Sequence, residues 1–220
     1  MTQRPHERGA SADLVESLSR DLAPVVTPPP PLRAALLWLA LAWAAVLATT
    51  ALTGPFRPDA GLELVSVGRF ALECALGWAV GAAAIWAALE LGMPGGPAGR
   101  RRALPILALL AAWVGLYAAG LIWPTLPVSM LGKRPHCAWE VVLLGVGPLL
   151  LGLWVMRHRL ALDPAWAGLL IGIAAGSLPA LVMQWACMYT AGHILQFHLG
   201  PAAVVAAAGW LIGPRVLPRV

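Results

Sequence analysis

Long apolar stretches recur along this chain from residue 32 onward, and short polar segments separate them. The hydrocarbon core of a bilayer is about 30 Å thick, so a helix needs roughly 20 mostly apolar residues to cross it. Six windows meet this requirement, at 33–53, 70–90, 104–123, 139–156, 165–186 and 191–212. The pattern predicts an all-α membrane protein built as a six-helix transmembrane bundle. Because the fourth window is short and the sixth begins among polar residues, five helices plus a re-entrant segment is the alternative.

Turn-forming and charged residues occupy the segments between the windows. Glycine and proline mark loops at 54–59, 94–97 and 132–135, and basic residues occur at 100–102 and 157–159. The first 32 residues are polar and proline-rich and lack a signal-peptide pattern, so we expect the first apolar run to remain as an anchor. The boundaries predict a tail over 1–32, a transmembrane domain over 33–212 and a second tail over 213–220.

Composition agrees with a membrane protein and charge gives its orientation. The chain is 60% hydrophobic and 11% charged, which lies outside the usual balance of a soluble domain. Its net charge is +5, but the basic residues are spread over loops, which argues against direct nucleic-acid binding. If the N-terminus is inside, 11 of the 15 Lys and Arg residues lie on the inner side. We therefore predict a multi-pass inner-membrane protein with both termini in the cytoplasm.

The N-terminal tail is long enough for one short helix. Asp13 and Glu16 have the spacing of an N-cap and its capping partner, and Pro24 ends the pattern. Three leucines fall at helical spacing on one face: Leu14, Leu18 and Leu22. Such a helix suits docking into a groove on another protein. The alternative is a juxtamembrane helix that lies on the lipid surface.

Cysteine and histidine residues concentrate near the predicted outer ends of the helices. They are Cys74, His136, Cys137, Cys187, His193 and His198. Thiolate and imidazole groups suit soft or borderline metals such as zinc, copper or cadmium, and two outer cysteines could instead form a disulfide. A lone cysteine in a membrane helix, such as Cys74, is more often a small buried hydrophobe. With no Cys-x-x-Cys motif, these readings remain open.

Three further polar residues, Glu73, Glu140 and Gln184, are predicted at the same depth. Carboxylates are costly in lipid, but we expect Glu73 and Glu140 to lie close enough to the interface to be solvated. They therefore add little support for a transport function.

Glycines recur every fourth residue in the fifth window, at Gly168, Gly172 and Gly176. This spacing places them on one helix face and lets another helix approach closely. Helix packing is the expected role of this ladder.

Taken in order, several motifs resemble those of the NrsF-like family, the membrane-bound negative regulators of extracytoplasmic-function sigma factors of the sigma-F type. The tail reads Leu-Val-Glu-Ser-Leu-Ser-Arg-Asp-Leu-Ala-Pro-Val over 14–25, and six hydrophobic segments follow. The other motifs are Cys137-x-x-Glu140 with Pro148 beyond it, Pro164 followed by the glycine ladder, and Cys187 followed by His193 and His198. The similarity covers about Leu14 to Ile212.

The resemblance implies an anti-sigma factor that holds a sigma factor at the membrane and releases it on a periplasmic metal or oxidative signal. Cys137 and Cys187 would be the sensing thiols, with His136, His193 and His198 as further candidate metal ligands. The sigma-contacting residues would be Leu14, Glu16, Leu18, Asp21, Leu22 and Val25. The implied partners are the sigma factor and membrane lipid. No resident cofactor is implied, and a zinc, copper or cadmium ion would act as the signal.

Two other function classes follow from the same residues. A membrane thiol oxidoreductase would exchange disulfides at the outer cysteines, although it would ordinarily use a closely spaced cysteine pair. A small metal-binding or haem-binding transporter would use the histidines and carboxylates. The chain has no phosphate-binding Gly-rich loop, no Gly-x-Ser-x-Gly and no His-Glu-x-x-His motif, so we expect no enzyme activity.

Overall fold

The computed structural model describes residues 5–20, 28–93, 99–127 and 130–218, with side chains described from residue 13 onward. The helices within these ranges are α1 (Pro5–Arg20), α2 (Pro31–Thr53), α3 (Ala60–Ser66), α4 (Gly68–Glu90), α5 (Gly99–Gly120), α6 (Cys137–Arg157), α7 (Pro164–Ala186), α8 (Ala191–Ile194) and α9 (Gly200–Val216). One π-helical turn, Leu195–Leu199, joins α8 to α9.

Six helices in the described ranges are long and apolar enough to cross a membrane, and they match the six predicted windows. They are α2, α4, α5, α6, α7 and the continuous segment Ala191–Val216. The last segment is one helix with a π turn, so the alternative of five spanning helices plus a re-entrant segment is not needed. The short helix α3 was not predicted. We call the end of the bundle where α2 begins the tail end, and the opposite end, where α6 begins, the cysteine end.

Helix α1 is longer than the tail pattern predicts. It begins at Pro5, so Asp13 lies inside the helix and the prediction of an N-cap there is wrong. Leu14 and Leu18 are 58% and 60% exposed, and Glu16 pairs with Arg20 at 2.7 Å. The remaining residues of the predicted sigma-contacting set lie outside the described residues: Asp21, Leu22 and Val25.

Helix α7 forms the centre of the bundle. Almost all of its side chains are buried, as expected for a helix that is apolar on every face. Helices α2, α4, α6 and α9 pack around it, and α5 packs mainly against α4. Because α7 ends next to Cys187, the central helix positions one of the predicted thiols.

The glycine ladder on α7 packs against α9, which confirms the prediction of a close helix pair. A Cβ atom on Gly168 would lie 2.2 Å from the Gly209 carbonyl oxygen, and one on Gly176 would lie 2.6 Å from the Ala202 carbonyl oxygen. Any side chain there would push the two backbones apart. The ladder therefore fixes α7 to the helix that continues from the π turn.

Candidate metal centre

Four of the predicted ligands converge at the cysteine end of the bundle. The potential ligand atoms of Cys137, Cys187, His193 and His198 all lie within 4.8 Å of one another. Cys137 is the first residue of α6, and Cys187 directly follows α7. His193 lies in α8 and His198 in the π turn. Residues that are far apart in sequence thus form one cluster, which we call the Cys/His cluster.

The His193 ring lies between the two thiols. Its Nε2 atom is 3.3 Å from the Cys137 Sγ atom and 3.4 Å from the Cys187 Sγ atom. In a tetrahedral site with the usual metal–sulfur and metal–nitrogen bond lengths, ligand atoms lie about 3.3–3.8 Å apart. The cluster therefore needs to contract by only about 1 Å at its widest pair to hold a tetrahedral ion.

The π turn brings the two histidines together. Five residues along a regular α-helix rotate a side chain by about 500°, which leaves positions 193 and 198 about 140° apart. A π turn is wider and hydrogen-bonds residue i to residue i+5, so it places the two rings on the same side. Their centroids are 5.1 Å apart. Single π turns in α-helices occur frequently at functional sites.

Burial makes His198 the most informative member of the Cys/His cluster. Its side chain is fully buried, and neither ring nitrogen makes a hydrogen bond of regular geometry to a described residue, although the ring interacts with the Cys187 thiol. A buried polar group without a partner costs free energy, and a metal ion would satisfy one of the nitrogens. Two sulfur and two nitrogen donors in a largely buried cluster fit zinc, copper(I) or cadmium, which bind such ligands tetrahedrally.

The thiol of Cys187 is polarised toward its charged form. A hydrogen bond from Cys137 lowers the pKa of the Cys187 thiol, burial acts in the opposite direction, and the contact with His193 lowers the pKa further. The thiolate is the form that binds metals and reacts with oxidants. The arrangement is therefore suited to both kinds of chemistry.

A cavity of about 440 Å3 leads to the Cys/His cluster from the cysteine end. Cys137 and His193 form part of its wall, together with Met130 and Met188. His136 also lines this cavity but is exposed and does not belong to the group of four ligands. The structure thus brings together four of the five candidate ligands and leaves His136 at the approach to them.

The sequence analysis missed the role of Arg134, which it treated as a topology signal in a loop. The Arg134 side chain is buried and pairs with Glu140 at 3.2 Å. Its other hydrogen bonds go to the end of α2 and the end of α7, with Thr50 O, Thr53 Oγ1, Gly54 O, Pro55 O and Ala186 O as acceptors. Since the last carbonyls of a helix lack partners inside it, Arg134 caps α2. It lies three residues before Cys137 and contacts the residue before Cys187.

A second buried arginine, Arg57, holds the segment that follows α7. Its guanidinium pairs with Glu63 of α3 at 2.5 Å and lies 5.9 Å from the centre of the Tyr189 ring. Its backbone N–H donates to the Trp185 carbonyl at 2.8 Å. These contacts fix the chain on both sides of Cys187.

The other polar residues predicted at this depth form separate contacts. Cys74 is buried and accepts a hydrogen bond from the Trp185 indole at 3.2 Å, and its thiol lies 3.9 Å from the Gln184 side-chain oxygen. Glu73 is fully buried, so the expectation that it is solvated is wrong. Its carboxylate is stabilised by Arg69, Thr125 and Tyr189. Glu140, which pairs with Arg134, is 19% exposed.

Fold and site together define a helical membrane protein with a buried Cys/His cluster at one end of the bundle. A family model described as NrsF, negative regulator of sigma F, matches residues 18–218, and the chain belongs to this family. The anti-sigma-F factor NrsF of Caulobacter vibrioides (strain NA1000 / CB15N) is 28% identical over 208 residues, which cover 90% of this chain and 94% of that protein. No solved structure matches the chain. The family resemblance is thereby confirmed, and membership implies a regulatory rather than a catalytic role.

Proposed function

We propose that this protein is an anti-sigma factor that holds an extracytoplasmic-function sigma factor at the inner membrane and releases it when a soft metal ion binds the Cys/His cluster. Membership of the family of negative regulators of sigma F supports the anti-sigma part. The observation that carries the metal part is the convergence of two thiols and two imidazoles, including the fully buried His198. Oxidation of Cys137 and Cys187 is a second route to the same switch, because both thiols lie in one cluster.

Charge supports an orientation with both tails in the cytoplasm and the Cys/His cluster facing the periplasm. At the cysteine end, Arg57, Arg69 and Arg134 are each paired with a glutamate. At the tail end, most arginines of the described residues form no ion pair: Arg33, Arg100, Arg101, Arg157, Arg159 and Arg215. Lys133 is the basic residue at the cysteine end that forms no ion pair in the described residues, so most of the unpaired positive charge lies on the side that the positive-inside rule assigns to the cytoplasm.

Metal binding at the Cys/His cluster would supply enough free energy for a switch. Moving a two-state equilibrium from 1:99 to 99:1 takes about 5.5 kcal/mol of differential binding. Structural zinc sites with thiolate and imidazole ligands bind with about 10–16 kcal/mol at neutral pH. A difference of about 10⁴-fold between the affinities of the two states for the ion, about a third to a half of this binding free energy, would therefore release the sigma factor.

The route from the Cys/His cluster to the tail runs through Arg134 and α2. Contraction of the cluster would move Cys137 and Cys187. Arg134 lies three residues before Cys137 and donates a hydrogen bond to the carbonyl of Ala186, the residue before Cys187. Arg134 also caps α2, whose 23 residues span about 35 Å as a rigid rod. The opposite end of α2 leads to the N-terminal tail. A shift of this helix would change how the tail presents its leucine face.

The metal proposal predicts one cadmium ion bound per chain of purified, reduced protein. In a titration of the detergent-solubilised full chain, the thiolate–metal absorbance should saturate at one equivalent. His198→Ala should weaken binding by about tenfold or more, because it removes one of four ligands.

His136→Ala is the matched control, since this histidine is close to Cys137 in sequence but outside the Cys/His cluster. It should leave the affinity unchanged. Equal weakening by both histidine variants, or no saturable binding by the unmodified chain, would contradict a four-ligand site.

The tail proposal predicts that charges on the leucine face of α1 prevent sigma binding. Leu14→Glu and Leu18→Glu should each reduce capture of the sigma factor by about 30-fold, the cost of losing one interface anchor. Capture is measured by pull-down with the full membrane protein in detergent. Ser19→Glu is the control, because this exposed position lies about 100–140° from the two leucines.

Retention of the sigma factor by both leucine variants, or by a chain lacking residues 1–31, would contradict the tail as the contact. The tail would then fit the alternative of a helix on the lipid surface. Equal loss with Ser19→Glu would show that charge anywhere on α1 interferes, and that no particular face is recognised.

A further inference from the structure

A second cavity, of about 350 Å3, lies between α2 and α6 at the tail end, far from the Cys/His cluster. Apart from two residues at one end, its wall is apolar. It is lined by Pro28, Pro29, Ala34, Leu37, Trp38, Leu41, Leu151, Trp154, Val155, His158 and Arg159. Leu37, Leu41 and Trp154 are each more than half exposed, so this wall is continuous with the lipid-facing surface of the bundle.

Arg159 places a buried cation at the end of this cavity. Its side chain is 3% exposed, and its Nη2 atom donates to the Pro29 carbonyl oxygen at 2.5 Å. The Nη1 atom is buried and has no hydrogen-bond partner among the described residues. In the same ranges no carboxylate pairs with this guanidinium. A buried charge that lacks a counter-charge is costly, so an anionic ligand at this point would be stabilising.

The cavity has the depth of one membrane leaflet. Its lining on α2 runs from the residues before the helix to Leu41, which lies ten residues after Pro31. Ten residues of helix rise about 15 Å, or about half of the hydrocarbon core. An occupant would thus have an apolar part that fits a single leaflet and a polar end at the membrane surface.

We propose that this cavity binds one anionic phospholipid from the leaflet nearest the tail, with an acyl chain between α2 and α6 and the phosphate on the Arg159 guanidinium. Basic pockets between transmembrane helices are a recurrent type of site for anionic lipid headgroups. The part of the lipid between the helices is an acyl chain because the wall is apolar and open to the bilayer. The headgroup is negatively charged because the free donor at the cavity end belongs to an unpaired arginine. This site does not depend on the anti-sigma activity.

Native mass spectrometry of the detergent-solubilised full chain tests the proposal, with phosphatidylglycerol and phosphatidylcholine added at equal concentration. We expect phosphatidylglycerol adducts to exceed phosphatidylcholine adducts by about tenfold. Arg159→Gln should abolish this preference. Arg157→Gln is the matched control, because Arg157 is exposed and does not line the cavity, and it should keep the preference.

A second variant tests the apolar part with Arg159 intact. Leu37→Trp places a larger side chain in the cavity, at a position exposed enough to tolerate it, and should reduce phosphatidylglycerol adducts about fivefold. No preference in the unmodified chain, a preference that survives Arg159→Gln, or phosphatidylglycerol adducts that are unchanged in Leu37→Trp would each overturn the proposal. A preference that appears only after removal of residues 1–20 would show that the chain's own tail covers the cavity, and would also overturn it.

Discussion

Replacing Cys137 or Cys187 with serine will abolish the response of a sigma-dependent reporter to cadmium or copper while leaving the reporter repressed in untreated cells. Each substitution removes one of the two thiolate ligands, which supply most of the affinity for a soft metal. The switch depends on several kcal/mol of binding free energy, so we expect the induction ratio to fall by about tenfold or more. The measurement is reporter activity with and without metal, in cells where membrane insertion of each variant has been checked.

Cys74→Ser is the matched control for these two variants. Its thiol is buried near the same end of the bundle but contacts Trp185 and Gln184, outside the Cys/His cluster. This variant should keep the metal response. A parallel experiment with peroxide separates the two chemistries, because a response to peroxide alone would indicate oxidation of the thiol pair. The anti-sigma proposal fails if sigma output ignores both cysteine substitutions and deletion of the whole gene.

The membrane architecture could be predicted from the sequence because lipid imposes a simple rule on it. Apolar length alone locates the spanning helices, and the six predicted windows differ from the observed helices by only a few residues at most ends. The tail has no such constraint. Asp13 and Glu16 had the spacing of a capping pair, but the helix extends back to Pro5. Local capping signals decide helix ends only weakly.

The residue types of the Cys/His cluster could be predicted, but their association could not. Two helices separate Cys137 from Cys187 along the chain, so only the packing of α6 against α7 brings them together. His193 and His198 would point apart on a regular helix, and the π turn that aligns them leaves no clear pattern in the sequence. His136 is adjacent to Cys137 and looked equally suitable, but it precedes α6 and remains exposed.

The roles of the buried arginines were the feature of the structure that the sequence predicted least well. Loop arginines in membrane proteins usually report topology, and Arg57, Arg134 and Arg159 were interpreted in that way. All three are more than 90% buried and hold loops to helix ends. The acceptors of Arg134 are mostly backbone carbonyls, and a carbonyl oxygen has no sequence signature. Such contacts become visible only when the tertiary structure is known.

Arg134→Gln will lower the free energy of unfolding of the full protein by about 3–5 kcal/mol, the usual cost of breaking a buried ion pair. Glutamine leaves Glu140 without its counter-charge and cannot reach the carbonyls at the ends of α2 and α7. Denaturant unfolding in detergent micelles, followed by tryptophan fluorescence, measures the change. Lys133→Gln is the control, because its side chain is exposed and surface substitutions usually change stability by less than about 0.5 kcal/mol.

The same variant separates metal binding from signal transmission. The four ligands of the Cys/His cluster remain in Arg134→Gln, so cadmium should still bind at one ion per chain and should restore part of the lost stability by mass action. The sigma-dependent reporter should nevertheless respond at least about fivefold less, because α2 no longer shares a capping arginine with the loop before Cys137. A full metal response in Arg134→Gln cells would contradict this route. Transmission would then have to follow the close contact between α7 and α9, where the glycine ladder packs Gly168 against Gly209 and Gly176 against Ala202.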